Sequence, residues 1–441
     1  MTLCPSPVRK SATGALNLLL VLLLAACASP PPVEQLCRPC EVCAVCQVPT
    51  MPATTPIDET WTRPLEPLIA ATDTARGHLE RAPWAMLPNW GSDKPTDALA
   101  AFLQSCTVLA TRPEWLDACS RASALGNKPR SDAVTQFFRD SFEPWRVVNA
   151  DASDTGTITG YYEPLLHGAK APTKRFKYPI YAAPNDLVTV DLSEVYPDLK
   201  FRRLRGRIVD NKLVPYFERA EIESASAPLK GLEIVYVDDQ IELFFLQIQG
   251  SGQVLLPGGK RLRVGYADQN GHPFRSLGGL LIRRGEIKAE RASMQGIKEW
   301  ARKHPGRVQK YMNANPSYIF FKELPNELSG PIGTLGVPLT AERSIAVDHR
   351  VIPLGVPVYL ATTYPGTKQE LNRLMVAQDT GGAINGGVRA DFYWGFGDDA
   401  GAEAGKMKQV GRMWVLLPRG YDPNAVINIP AAPTTPPAKS P

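Results

Sequence analysis

Residues Met375 to Gly397 read MVAQDTGGAINGGVRADFYWGFG, and this stretch restricts the fold more than any other part of the chain. An apolar run (Leu374, Met375, Val376) delivers Asp379 into the turn Gly381-Gly382, and the chain returns Asp391 at the head of an aromatic run. Asp bonds its own backbone and Gly accepts positive φ, so Asp before Gly-Gly is ordinary turn chemistry. A strand pair joined by so flexible a return can also bring both carboxylates to one cleft. Both readings stand on the local signal.

The texture of the chain changes along its length. From about Trp61 to Val148 it reads as mainly helical. Leu99, Phe102, Leu103 and Cys106 recur at helical spacing, and Ser131 can cap a helix carrying Val134, Phe137 and Phe138 on one face. After Asn149 strands take over. Thr157 to Tyr162 alternates, and Glu233 to Gln249 holds two strand-like runs around a turn at Asp238-Asp239. Helices are expected at Leu277–Arg284, Ser293–Lys303 and Val308–Met312. Strands return from about Gly336, at Ser344–Asp348, Val356–Leu360, Arg373–Gln378, Arg389–Tyr393 and Met413–Leu417. Short strands with Gly and Pro punctuation, and no long helix between them, predict a small closed barrel. The fold class is α+β, mainly β with a helical N-terminal part.

At the N-terminus, Arg9 and Lys10 precede an apolar run from Leu16 to Leu24, followed by Ala25-Ala26, as in a secretory signal too short to span a bilayer. Leu24-Ala25-Ala26-Cys27 resembles the bacterial lipobox, in which cleavage precedes the Cys and the Cys carries lipid. Ala28 follows rather than Asp, which by that resemblance points to the outer membrane. Acyl chains on Cys27 hold a protein at a membrane surface without a spanning segment. The Pro- and Ala-rich segments after Cys27 and near the C-terminus read as tether and tail. A net charge of +5 over 441 residues, with one short basic stretch from Lys200 to Arg207, argues against nucleic acid as a partner.

Cys37, Cys40, Cys43 and Cys46 recur every third residue. That spacing invites a metal or iron–sulfur reading, but the run lacks the long loop that separates Cys pairs in zinc modules. Export favours disulfides over thiolate clusters, so the run reads as an oxidised feature of the tether. Cys106 and Cys119 lie in successive helical segments split by Thr111-Arg112-Pro113, and a disulfide there would pin two helices together. None of the five histidines pairs at metal-ligand spacing, so no metal or cofactor is implied. His349 adjoins Asp348, but neighbouring strand residues face opposite ways.

Asp348, Asp379 and Asp391 each stand at or near a strand end, where one barrel can present them to a common mouth. Crowded carboxylates repel, which raises a pKa and turns an aspartate into a usable general acid near neutral pH, as glycosidic cleavage needs. Asp379-Thr-Gly-Gly-Ala-Ile384 with Asp391-Phe-Tyr-Trp-Gly-Phe-Gly397 resembles the three-aspartate domain of the membrane-bound lytic transglycosylase A family. Further matches in order are Thr159 to Pro164, Gln249-Gly-Ser-Gly252, Tyr266 with Asn270-Gly-His272, Ser293-Met-Gln295, and Asn315 to Phe321.

The resemblance implies cleavage of the β-1,4 bond between N-acetylmuramic acid and N-acetylglucosamine in peptidoglycan, leaving a 1,6-anhydro ring. It implies a double-psi β-barrel with an inserted second β-rich domain and a glycan groove between them. Asp391 matches the catalytic acid, which then serves as base, and Asp379 and Asp348 become residues that tune or orient it. Thr159 is a candidate substrate hydrogen-bond donor. Tyr161, Tyr162, Tyr393 and Trp394 are candidate sugar-stacking surfaces, of which alternation should send two inward. Gln249 and Ser251 are candidate groove contacts. The family commonly has an acidic residue where this chain has Gln247. The expected layout is a lipoprotein signal over 1–26, an attachment Cys and tether over 27–60, and a helical segment with the first barrel strands over 61–162. The inserted domain follows over 163–325, the three-aspartate part of the barrel over 326–422, and the tail over 423–441. Peptidoglycan strands and a membrane surface are the expected partners, with proteins of cell-wall synthesis or division compatible. The alternatives are an inverting glycan hydrolase on the same barrel and a non-catalytic peptidoglycan-binding lipoprotein.

Overall fold

In a computed structural model of the chain, residues 75–423 are described, apart from 201 and 225–227. Cys27, the Cys37–Cys46 run, the signal segment, the tether and the C-terminal tail lie outside the described residues. Strands predominate over helices in a mixed α+β architecture.

The larger sheet has eight strands. In spatial order they are Gly77–Arg81, Phe142–Asn149, Lys408–Pro418, Pro357–Thr363, Glu370–Asp379, Ser344–Val347, Ala390–Phe396 and Gly156–Glu163. Lys408–Pro418 is long enough to close this sheet on itself. Its first residues, Lys408 to Gly411, pair with Gly156–Glu163, while Arg412 to Val415 pair with Pro357–Thr363 and Trp414 to Pro418 with Phe142–Asn149. Six strands thereby form a closed ring, and closure removes exposed edges. Two of its pairings are parallel, Ser344–Val347 with Glu370–Asp379 and Ala390–Phe396 with Gly156–Glu163. Gly156 permits the second of these to form, because a Cβ there would lie 1.7 Å from the Val388 carbonyl oxygen.

The helices Pro95–Leu109, Pro113–Ala124 and Ser131–Ser141 share one apolar cluster with the ring. Phe102 is at the aromatic centre of that cluster, with Trp115, Phe137, Phe138 and Phe142 at 5.7 to 6.3 Å between ring centroids. Cys106 and Cys119 form a disulfide that joins the first two helices. It closes a loop of 13 residues, and removing such a closure costs about 3 kcal/mol in the chain-entropy account. The Cys106→Ala/Cys119→Ala protein should therefore unfold at lower denaturant in a urea titration, and an unchanged midpoint would show the crosslink to be energetically idle.

Between Glu163 and Ser344 a second body of structure is inserted. Its six-stranded sheet runs Ile319–Leu324, Arg261–Gln269, Ser251–Leu255, Leu165–Ala169, Glu233–Val237 and Tyr178–Tyr181. The helices Gln240–Gln249, Leu277–Arg283, Met294–Lys303 and Pro305–Met312 contribute to a separate apolar cluster around Phe244, Leu281 and Trp300. Among the described residues no helix is long and apolar enough to cross a membrane.

Several expectations need correction. The second strand-like run after Asp238 is the helix Gln240–Gln249. Asp239 is its N-cap, the side chain accepting from the Ile241 and Glu242 amides at 2.8 and 3.3 Å, and Gly250 ends it at φ 81°. The segment QIELFFLQIQ places four apolar residues in a row at Leu243 to Leu246, which blurs its period, so the cap decided. Ser131 is the first helical residue rather than the cap, which is Arg130. The supposedly helical stretch to Val148 also holds the strands Gly77–Arg81 and Phe142–Asn149, and the helix Gly397–Lys406 interrupts the strand-rich C-terminal part.

Candidate active site

Register brings the chemistry together. Asp391 is the second residue of its strand and lies opposite Thr159 on one neighbour and Ala346 on the other. Asp379 is the last residue of its strand and also lies opposite Ala346. A residue no larger than Ala between the two aspartates leaves their carboxyls free to share one face. Tyr161 and Tyr393, two residues beyond Thr159 and Asp391, line that same face, with ring centroids 5.2 Å apart.

The two carboxyls differ in what they accept. Asp379 receives the Thr334 amide at 3.0 Å and hydroxyl at 2.9 Å on Oδ1, and the Tyr161 hydroxyl at 3.1 Å on Oδ2. Asp391 receives the Thr159 hydroxyl on Oδ1 at 2.6 Å. Burial raises the pKa of both above the ordinary carboxylate range. For Asp391 the Thr159 bond and the Arg389 charge oppose that rise, and the neighbouring Asp379 adds to it. Burial and both aspartates keep Tyr161 protonated, so it can only donate to Asp379. Three donors on Asp379 against one on Asp391 favour the ionised form more strongly at Asp379.

Asp348 has a different task. Arg350 grips both of its oxygens, at 2.6 and 2.7 Å, and the Gly386 amide donates to Oδ2 at 2.9 Å. Burial pushes its pKa up, but these donors win and hold it below the usual value. Arg350 also reaches Asn385 Oδ1 at 2.7 Å, so Asp348 and Arg350 tie down the return between Asp379 and Asp391. The expectation of three mutually repelling carboxylates is thereby corrected, since the Asp348 charge is neutralised within its own ion pair.

Other candidates divide by strand alternation. Tyr162 and Trp394 point into the main apolar cluster. The Tyr162 hydroxyl lies 3.6 Å from the Met294 sulfur, and the Trp394 indole N–H 3.2 Å from the Met407 sulfur. They are core residues, and sugar stacking is withdrawn for both. Thr159 is corrected too, because its one hydroxyl proton goes to Asp391 rather than to a substrate. Gln249 accepts the Tyr162 amide at 3.0 Å, joining the end of the inserted helix to the Thr159 strand. Ser251 is buried at the start of the next strand.

Sequence reasoning missed three participants. Thr334 holds Asp379 from a loop that carries no motif. Glu163, at the end of the Thr159 strand and 1% exposed, meets Gln253 at 3.0 Å and Arg263 at 3.5 Å on the inserted sheet. Arg389 donates to Thr159 Oγ1 at 2.9 Å. Arg389 had a visible signal in its place two residues before Asp391, and Glu163 lay within the Thr159 to Pro164 match, while Thr334 had none.

Residues 157–322 match the family model of the MltA specific insert domain, and residues 343–417 match the 3D domain. Membrane-bound lytic murein transglycosylase A of Escherichia coli K12 is 34% identical over 310 residues, which is 69% of this chain and 73% of the relative. Among solved structures, MltA from Neisseria gonorrhoeae superposes with a TM-score of 0.68 at 38% identity, covering 78% of this chain and 93% of that one. E. coli MltA with bound chitohexaose gives 0.59 at 27% identity, covering 78% and 94%. On this agreement of motif order, fold and site, the chain belongs to the membrane-bound lytic murein transglycosylase A family.

Proposed function

We propose that this peptidoglycan lytic transglycosylase cuts the β-1,4 bond between N-acetylmuramic acid and N-acetylglucosamine with Asp391 as its single proton carrier. Asp391 gives its proton to the bridging oxygen, and the C1–O bond to the muramic residue breaks. The resulting carboxylate takes the proton of the muramic C6 hydroxyl as that oxygen bonds to C1, closing the 1,6-anhydro ring. Protons balance over the two steps and water is not consumed. The observation that carries this reading is the unequal pair, with Asp379 held by three donors and Asp391 by one. Asp379 then acts as a fixed negative charge that keeps Asp391 protonated and steadies positive charge developing at C1. Three of its roughly four lone-pair sites are already engaged, which disfavours it as the base that an inverting hydrolase would need. Tyr161 and Tyr393 pack beside the carboxyls in a small apolar cluster and are themselves 8% and 2% exposed, so they wall in the carboxyls rather than offer an open stacking face.

The six-stranded ring with two parallel pairings is read as a double-psi β-barrel, and the inserted sheet as the second wall of a glycan groove. Chitohexaose in the E. coli relative supports a glycan strand as the ligand. The family name supports membrane association, and lipid on Cys27 at the outer membrane is the form it is proposed to take.

Digestion of purified sacculi followed by mass spectrometry tests the chemistry. Released muramic ends should be one water lighter than hydrolysed ends. Release of reducing muramic ends alone would overturn the anhydro mechanism.

A further inference from the structure

We propose that Arg389 is a positioning residue that fixes which oxygen of Asp391 carries the working proton. This rests on Asp391 being the proton carrier. Arg389 stands two residues before Asp391, immediately ahead of the strand Ala390–Phe396. Its Nη2 donates to Thr159 Oγ1 at 2.9 Å, and Thr159 Oγ1 lies 2.6 Å from Asp391 Oδ1. A guanidinium has only donors, so the Thr159 oxygen must accept from it. The positive charge then turns the single hydroxyl proton away from Arg389 and toward Oδ1. An Oδ1 that is always accepting is a poor place for the acid proton, which therefore resides on Oδ2. The same Oδ2 gives the proton to the leaving oxygen and later collects one from the C6 hydroxyl.

The guanidinium is itself held by the backbone. Its Nη1 donates to the Thr157 carbonyl at 3.2 Å and to the Ala390 carbonyl, one on each of the two parallel strands. Arg389 therefore clamps together the strands whose register sets Thr159 beside Asp391. Its hydrogen bonds go to those carbonyls and to Thr159, so its charge reaches Asp391 through a hydroxyl. A direct guanidinium–carboxylate pair would discharge the acid, as Arg350 does to Asp348. Acting one group away, Arg389 steadies the carboxylate needed in the second step while leaving the proton available for the first.

The test uses the purified full chain and soluble glycan oligomers, with kcat and KM followed across pH. Arg389→Gln should lower kcat by about 10- to 100-fold with KM little changed. Loss of the cation also lets the Asp391 pKa rise further, so the alkaline limb of the profile moves to higher pH. Thr159→Val should behave like Arg389→Gln, Thr159→Ser should retain most activity, and Arg389→Lys should return the limb toward its original position. A limb that stays put in both Arg389→Gln and Thr159→Val, or a loss that appears only in KM or only in parallel with melting temperature, would overturn the proposal. Asp391→Asn runs alongside. If it stays active, the proton-carrier assignment fails. If it is inactive while Arg389→Gln matches the parent, only the Arg389 role fails.

Discussion

Replacing Asp391 by Asn should lower release of soluble glycan fragments by at least about 10²- to 10⁴-fold, the range that a positioned acid–base group supplies. Asn keeps the shape of the side chain and can still accept from Thr159, so the fold and melting temperature should hold. It has no proton to give to the leaving oxygen, and adjusting pH cannot restore one. The parent protein should lose activity as pH rises through the elevated Asp391 pKa, because above that point the acid is already ionised. That limb belongs to Asp391 and should be absent from any residual activity of Asp391→Asn. By contrast Asp379→Asn should leave a folded, weakly active protein with its limb moved to lower pH, since the charge that raises the Asp391 pKa is gone. Substantial cleavage by Asp391→Asn in the sacculus digestion would end the assignment.

The second large effect concerns stability. Arg219→Ala should destabilise the inserted body by about 3–5 kcal/mol, the usual consequence of breaking a buried ion pair from one side. Arg219 is 2% exposed and lies between the rings of Phe244 and Tyr318, at 4.9 and 5.0 Å. It donates to Glu223 at 2.8 Å, to the Asn315 and Ser317 carbonyls at 3.1 and 2.7 Å, and to Gln247. Truncation leaves all four acceptors without their donor, along with a cavity. Arg219→Lys should recover little, because one ammonium cannot span four acceptors arranged around a planar fork. Urea unfolding followed by tryptophan fluorescence reads the loss, Trp300 reporting from the inserted body. A change under about 1 kcal/mol would contradict the account. Gln247 gains a meaning here, since it is a neutral acceptor for Arg219 while Glu223 supplies the counter-charge.

Strand positions in the ring were legible because alternation and Gly/Pro punctuation are local signals. Ser344–Val347, Glu370–Asp379 and Ala390–Phe396 fall close to where the pattern put them. The helix after Asp239 was not, because four successive apolar residues, Leu243 to Leu246, blur the period there. At the site, the sequence offered the aspartates but not their inequality. That inequality comes from Thr334, Tyr161 and Thr159, whose approach depends on register between strands far apart in the chain. It likewise offered four aromatic residues without saying which pair joins the main apolar cluster and which packs beside the carboxyls, since one residue of slip exchanges the faces. Asp348 looked like a third member of the cluster because its partner Arg350 has no distinguishing motif.

Thr159 and Asp391 are 232 residues apart in the chain, and the strand that closes the ring beside Thr159 is the last one, Lys408–Pro418. The acid and the hydroxyl that positions it can meet only after nearly every residue of the described fold has been made. Closing a loop of that span is slow compared with forming local helices. A growing chain thus carries Thr159 long before Asp391 arrives, and the contact that positions the acid is among the last of the described fold to become possible.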